Sequence, residues 1–290
     1  MTTVYADQGV STASARIVAW ENGRRTELQD TLAGEEPLEI RLAGCSVAVT
    51  MRTPGNDFDL TAGFLLTEGI IHRREDIASM AHCPVDQQGL EIEPNIVNVN
   101  PSDPALVDPD RWRRNFFATS SCGICGKASI ETVRQEAPAI RSEARISDGV
   151  ILRLEAQLRE AQAVFSQTGG LHAAALFDLQ GCMVLLREDV GRHNAVDKVI
   201  GAMLQQDRLP LDGYVLLVSG RASFEIMQKA LMAAIPIVVA VSAPSSLAVE
   251  LARESNMTLV GFLRYKEGQG RFNVYAGVER ILGAQEAAIV

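Results

Sequence analysis

Residues 120 to 126 read SSCGICG, so two thiols, Cys122 and Cys125, stand with only glycine and isoleucine between them. That spacing lets two sulfurs face each other. It suits a disulfide, half of a zinc site, or a relay that carries sulfur from one partner to another. Residues 128 to 136 carry a helical pattern, with Ile130, Val133 and Ala137 on one face, which puts both thiols just before a helix N-terminus. That position and nearby Lys127 both favour thiolate over thiol. The small neighbours Ser120, Ser121, Gly123 and Gly126 read as a mobile, exposed loop over residues 118–130. A packed structural pair would be expected to carry bulkier flanks.

The rest of the chain narrows the choice. Zinc asks for about four nitrogen or sulfur ligands, and there is one Cys-x-x-Cys, so His172, His193 or a second subunit would have to complete the site. A thioredoxin-like motif belongs between a first strand and its helix, a context these flanks do not offer. A nucleobase deaminase needs His-x-Glu ahead of Pro-Cys-x-x-Cys; residue 121 is serine. The remaining chemistry is sulfur relay, in which one thiolate takes a sulfane sulfur and passes it on. A zinc-binding structural protein stays as an alternative, although no metal site is assigned.

Three further turns hold functional groups. Ser219-Gly220-Arg221 and the SAPSS stretch at 242–246 each follow a strand and open a helix. Ligands bind outside the carboxyl ends of strands in open α/β sheets, and helix N-termini attract anions. Ser219 and Arg221 are therefore candidates to hold a phosphate; the competing reading is that Ser219 and Ser245 only cap helices. The segment TGGLHAAALFD brings His172 to the start of a strand. In EDVGRHNAVDK, Asp189, Arg192, His193, Asn194, Asp197 and Lys198 crowd ten positions. A surface turn needs a cap but seldom so many different groups, so this turn is read as a ligand site.

The elements that position these groups follow from pattern. At 290 residues, with 47% hydrophobic and 22% charged residues, the chain is long enough for one large domain or two ordinary ones with a substantial core. The net charge of −9 argues against a nucleic-acid binder or a membrane-surface protein driven by basic patches. Residues 230–249 hold 20 consecutive uncharged residues, but two prolines and three serines divide them, so a buried strand between helices fits better than a membrane span. The N-terminal residues lack a secretory pattern, and five cysteines, an odd number, point to a reducing cytoplasm. Cys45, Cys83 and Cys182 read as small buried hydrophobes, not reactive groups.

Residues 1–15 are expected to form a flexible tail, and 16–117 a smaller strand-rich N-terminal domain. Within it, LEIRLAGCSVAVTM reads as a hairpin, with Leu38, Ile40 and Leu42 on one face and Val47, Val49 and Met51 on another. NDFDLTAGFLLTEG reads as a helix with Asn56 or Asp57 as cap and Gly69 as stop. Short strands are expected around LEIE and NIVNVN, then a turn-rich link, PSDPALVDP. In residues 131–290, Leu154, Leu158, Ala161 and Phe165 mark one helix, AAALF and CMVLL two strands, and NAVDKVIGAML a helix. From 214 to 262 the order strand-helix-strand-helix-strand implies parallel pairing and a three-layer α/β unit. The fold class is therefore α/β, or α+β for the whole chain.

Five ordered blocks, SSCGICG, TGGLHAAALFD, REDVGRHNAVDKVIG, LLVSGRASFEIMQKA and VGFLR, together resemble the formate dehydrogenase accessory sulfurtransferase family, FdhD, over about residues 16–283. The resemblance implies a persulfide relay. Cys122 would accept sulfur from a cysteine desulfurase, and Cys125 would assist. The sulfur would go to the molybdenum of the bis(molybdopterin guanine dinucleotide) cofactor before that cofactor enters formate dehydrogenase. It further implies a C-terminal domain similar to the cytidine deaminase fold, a homodimer, and a cofactor segment at Phe262, Leu263, Arg264, Tyr265, Lys266 and Glu267. The phosphates of the guanine dinucleotide arms then give the basic turns a purpose, with Arg192, Lys198, Arg221 and Arg264 as their partners. A carrier that binds and protects the cofactor without forming a persulfide is the alternative of another class.

Overall fold

The computed structural model describes residues 11–83, 93–107, 137–266 and 268–283. The expected cysteine loop at 118–130, with Cys122 and Cys125, and the LEIE stretch up to Ile92 lie outside the described residues, as does Glu267.

The first described element is a hairpin of two ten-residue strands, β1 (Thr12–Glu21) and β2 (Arg24–Ala33), which among the described residues pair only with each other. Residues 12–15, expected in a loose tail, are thus part of a strand. The turn is Asn22-Gly23, both with positive φ (52° and 81°), the combination whose twist suits a two-residue hairpin.

A four-stranded sheet follows, in the order β4-β3-β6-β5: β3 (Glu36–Leu42), β4 (Cys45–Arg52), β5 (Ile77–Cys83) and β6 (Glu93–Pro101). Leu38, Ile40 and Leu42 are fully buried, as their alternation predicts. The second strand differs from expectation. Ile40 pairs with Ala48 and Arg41 with Ser46, so Val47 is an extra, bulged residue. The bulge exchanges the faces beyond it: Val47 is buried, while Val49 and Met51 are turned to solvent at 56% and 49% exposure.

Helix α1 (Asp57–Thr67) forms as read, with Gly69 at φ 68° ending it and the amides of Gly69 and Ile70 bonding back to Leu66 and Leu65. Its cap is not an Asn56 side-chain bond. Asp57 instead holds the buried Arg52 guanidinium through two hydrogen bonds, 3.0 and 2.8 Å.

The second half is built on a six-stranded sheet, in the order β13-β12-β11-β10-β8-β9. Its strands are β8 (His172–Asp178), β9 (Met183–Asp189), β10 (Tyr214–Val218), β11 (Ile237–Ala240), β12 (Thr258–Lys266) and β13 (Gln269–Ala276). A two-residue pair, β7 (Ile146–Ser147) with β14 (Ile281–Leu282), lies apart from it. Strands β10, β11 and β12 are parallel, as the strand-helix repeat requires.

Alternate residues of this sheet face different helices. Ala173, Ala175, Phe177, Val215, Leu217 and Val239 share an apolar cluster with α2 (Asp148–Ala161). Ala174, Leu176, Leu216, Val218 and Val238 share one with α4 (Arg192–Gln205), α5 (Phe224–Met232) and α6 (Ser246–Glu254). The helix expected to run through Phe165 breaks at Gln162. A six-residue helix, α3 (Ala163–Thr168), follows, and Phe165 is exposed on it.

The two halves share one core. Leu38, Ile40, Leu60 and Leu65 belong to the same apolar cluster as Val196, Ile200, Leu216 and Met227. Helices α1 and α4 touch at a glycine crossing. A β-carbon on Gly63 would lie 1.9 Å from the Asp197 carbonyl oxygen, and one on Gly201 would lie 1.8 Å from that of Asp59. Only glycine lets the two backbones come this close. Among the described residues no helix is long and apolar enough to cross a membrane.

Candidate functional site

Five segments reach the carboxyl edge of the parallel strands: the end of β9, the start of β8, the loops after β10 and β11, and the extension of β12. In open α/β sheets this edge is where ligands bind. Strand β10 is continued by Ser219, which donates its amide to Ala173 O and accepts from Ala173 N through its hydroxyl, both at 2.9 Å. Ser219 therefore extends the β8–β10 ladder and caps no helix. Ser245 does cap one, accepting from Ala248 N. A β-carbon on Gly220 would sit 3.4 Å from His172 Nδ1 and 3.7 Å from Arg192 Cδ, so His172, Gly220 and Arg192 are stacked together.

Arg192 and His193 are not in a loop but form the first turn of α4. The Arg192 Nε is shielded from solvent and has no hydrogen-bond partner among the described residues. A buried guanidinium N–H without an acceptor is costly, and such a group calls for an explanation. His193 Nε2 lies 3.5 Å from the Ser223 hydroxyl and 3.9 Å from the Glu225 carboxylate. Burial pushes the His193 imidazole down to about 4, reinforced by the positive charges of Lys229 and Arg192 against the opposing pull of Glu225. His172 is likewise lowered, by burial and then by Arg192. Burial works against ionising Glu225, but hydrogen bonds from Ser223 and from its own amide hold its carboxyl below the ordinary range. Near neutral pH the edge therefore presents neutral imidazoles beside Arg192, with Arg221 exposed on the adjoining loop.

The other wall is β12, which runs past the carboxyl end of β11. Its pairing with β13 is irregular between Gly261 and Arg264. There Phe262 takes φ 55°, a left-handed conformation that is a true outlier for a bulky side chain, and stands exposed. Its amide bonds to Ser242 O at 3.2 Å, tying it to the loop after β11. Arg264 donates to the carbonyls of Val241 and Leu263. Tyr265 donates its amide to the buried Glu155 carboxylate at 3.1 Å and keeps its ring exposed, and Lys266 is exposed at the far end of the ribbon. Leu263 departs from the expectation for this segment: it is fully buried in the cluster with α2 and offers a ligand no surface.

The crowded turn divides into two parts. Asp189, Asn194, Asp197 and Lys198 point inward and fasten α4 to the first half of the chain. The fully buried Asp189 carboxylate pairs with Lys198 Nζ at 2.8 Å and accepts from the amides of Thr53 (3.1 Å) and Gly191 (2.8 Å) and from Asn194 Nδ2 (2.9 Å). Lys198 also donates to Thr53 O at 2.8 Å. Asp197 meets Thr67 Oγ1 at 2.8 Å and Lys229 Nζ at 2.9 Å. Lys198 is thus enclosed between Asp189 and Thr53, away from the open edge, which corrects its expected place among the phosphate partners. Glu225, Ser223 and Lys229 belong to the site's surroundings, yet no pattern in their own helix marks them. What reveals them is the contact with His193. Among the described residues no group of three or more His, Cys, Asp or Glu side chains is placed to hold a metal ion.

Comparisons with known proteins agree on one family. A match to the FdhD/NarQ family spans residues 33–282. A sulfur carrier protein FdhD from Mycolicibacterium paratuberculosis is 52% identical over 93% of this chain and 98% of its own. One from Streptomyces avermitilis is 50% identical over 94% and 96%. A solved structure of a formate dehydrogenase accessory protein from Desulfotalea psychrophila superposes with a TM-score of 0.72 at 26% identity, covering 94% of this chain and all of that one. This chain belongs to the FdhD/NarQ family.

Proposed function

We propose that this chain is a sulfur carrier serving formate dehydrogenase, a sulfurtransferase of the cytoplasm acting as a homodimer. Cys122 takes sulfur from a cysteine desulfurase as a persulfide, and Cys125 assists its release. The acceptor is the molybdenum of the bis(molybdopterin guanine dinucleotide) cofactor, which is the protein's substrate and not a resident group. The reading is supported by relatives about half identical over nearly the whole chain that are named sulfur carrier proteins. A Cys-x-x-Cys suits the task because the Cys125 thiolate can attack the inner sulfur of the Cys122 persulfide, breaking its S–S bond, forming the Cys122–Cys125 disulfide and releasing the outer sulfur as hydrosulfide.

The observation that supports a phosphate-bearing substrate is the shielded Arg192 Nε, unpartnered among the described residues. A pyrophosphate oxygen would satisfy it, and a guanidinium is well shaped for phosphate. Arg221 and the Ser219–Arg221 loop would flank the same group, with His172 and His193 beside it. Phe262, exposed in its left-handed conformation, is suited to stack on a flat ring of the substrate, and Arg264 to meet an outer phosphate. Leu263 would only anchor the segment from within, and Lys198 would hold the turn that carries Arg192.

Reconstitution tests the proposal. Formate dehydrogenase matured with wild-type protein should become active, and enzyme matured with Cys122→Ala protein should not. Equal activation by the variant would remove the persulfide role and leave a cofactor-binding carrier.

A further inference from the structure

We infer that a pyrophosphate-bearing ligand, on binding at the carboxyl edge, draws protons from solvent onto His172 and His193. This rests on the reading that the edge holds the pyrophosphate of the guanine dinucleotide, and adds that the affinity is set by pH.

Charged groups surround both rings. His193 faces Arg192 on its own helix, Lys229 and Glu225 on α5, and His172 on β8. His172 faces Arg192 and the Asp189 carboxylate of β9. Asp189 favours the charged form of His172 and Lys229 disfavours that of His193, and each is also paired elsewhere. Asp189 is held by Lys198 at 2.8 Å, and Lys229 is held by Asp197 at 2.9 Å and Glu68 at 3.3 Å. The Arg192 charge acts on both imidazoles, opposed by Asp189 at His172 and by Glu225, 3.9 Å away, at His193. Protonating either ring in the free protein adds a cation to a partly buried site that already holds Arg192 and, beside His193, Lys229.

A pyrophosphate reverses the balance. Its two negative charges would lie beside Arg192 and His172, which Gly220 brings together, and His193 follows Arg192 in the same first turn of α4. Opposite charge at close range favours the protonated imidazole, and an imidazolium then donates a charge-assisted hydrogen bond to a phosphate oxygen. His193, held at about 4 in the free protein, has the larger range to recover. If binding returns it to about 6.5, the ordinary value, affinity rises about tenfold between about pH 7.5 and about pH 5.5. His172 adds to that in the same direction.

The test uses GDP-mannose, whose pyrophosphate is esterified at both ends and does not titrate between about pH 5 and about pH 8, so any proton taken up belongs to the protein. Calorimetry on the full chain at about pH 6, in two buffers of different ionisation enthalpy, counts protons directly. The expected result is uptake of roughly half to one proton per participating histidine. The dissociation constant should fall about tenfold or more from about pH 7.5 to about pH 5.5. In His193→Gln protein the uptake and the pH slope should drop by the share of that ring, with His172→Gln removing the remainder. Binding with no proton uptake and a flat pH profile would overturn the inference and leave the pyrophosphate reading standing. Absence of binding at every pH would overturn both.

Discussion

Replacing Lys198 by methionine separates two roles that the sequence alone allows it. Inside the protein its ammonium is 1% exposed, bonded at 2.8 Å to both the Asp189 carboxylate and the Thr53 carbonyl. Methionine keeps most of the volume and removes the charge. Breaking a buried pair from one side destabilises by about 3–5 kcal/mol, because the other charge remains buried. Here three N–H donors still face Asp189, from Thr53, Gly191 and Asn194. The lower end, about 3 kcal/mol, is therefore expected. With a denaturant dependence of roughly 1–3 kcal/mol per molar, the urea midpoint should move down by about 1 M or more.

The assay is urea unfolding followed by fluorescence, paired with GDP calorimetry. A Lys198 that touched substrate phosphate would behave oppositely: unchanged unfolding, with binding weakened by about 1.5–3 kcal/mol. Wild-type stability in Lys198→Met protein would refute the assignment of this residue to the lock between the two halves.

The helix crossing and the edge give further expectations. Gly201→Ala improves helix propensity by roughly 1 kcal/mol, yet its β-carbon would meet the Asp59 carbonyl at 1.8 Å. A net loss of at least about 2 kcal/mol is expected in urea unfolding, since overpacking against backbone leaves nothing flexible to yield. His193 has a folded value near 4, below its unfolded value, so the unfolded chain takes the proton first as pH falls. Stability should then decline from about pH 6.5 toward about pH 4 by up to about 3 kcal/mol, and His193→Gln should flatten this part of the profile. Arg221→Ala should weaken GDP binding by about 1.5–3 kcal/mol in calorimetry without altering the thermal midpoint, because its side chain is exposed.

Much of the second half was legible because its signals are local. YVLLV lies between polar turns and PIVVAV opens on a proline and ends at a serine turn; such short apolar runs, buried on both faces, are what parallel strands require. The convergence of His172, Arg192, His193, Ser219 and Arg221 on one edge also follows from strand direction once β10 and β11 are parallel. The division of the crowded turn was not legible. Lys198 meets a partner 145 positions away and Asp197 one 130 positions away, and no local pattern encodes those contacts. The β1–β2 hairpin escaped notice although Asn22-Gly23 marks its turn. Strand β2 puts polar side chains on both faces, and β1 puts apolar ones on both, Ile17 on one and Val18 and Trp20 on the other, so no clean alternation remains. In β4 the alternation was present and misleading, because the Val47 bulge exchanges the two faces midway. Gln162 ended α2 without proline or glycine to announce it.

The central claim is that Cys122 carries sulfur. Intact-protein mass spectrometry after incubation with a cysteine desulfurase and cysteine tests it most directly. Wild-type protein should gain the mass of one sulfur atom, about 32 Da, removable by a thiol reductant, and Cys122→Ala protein should gain none. Wild-type protein of unchanged mass, or a Cys122→Ala variant that loads as fully as wild type, would contradict the account.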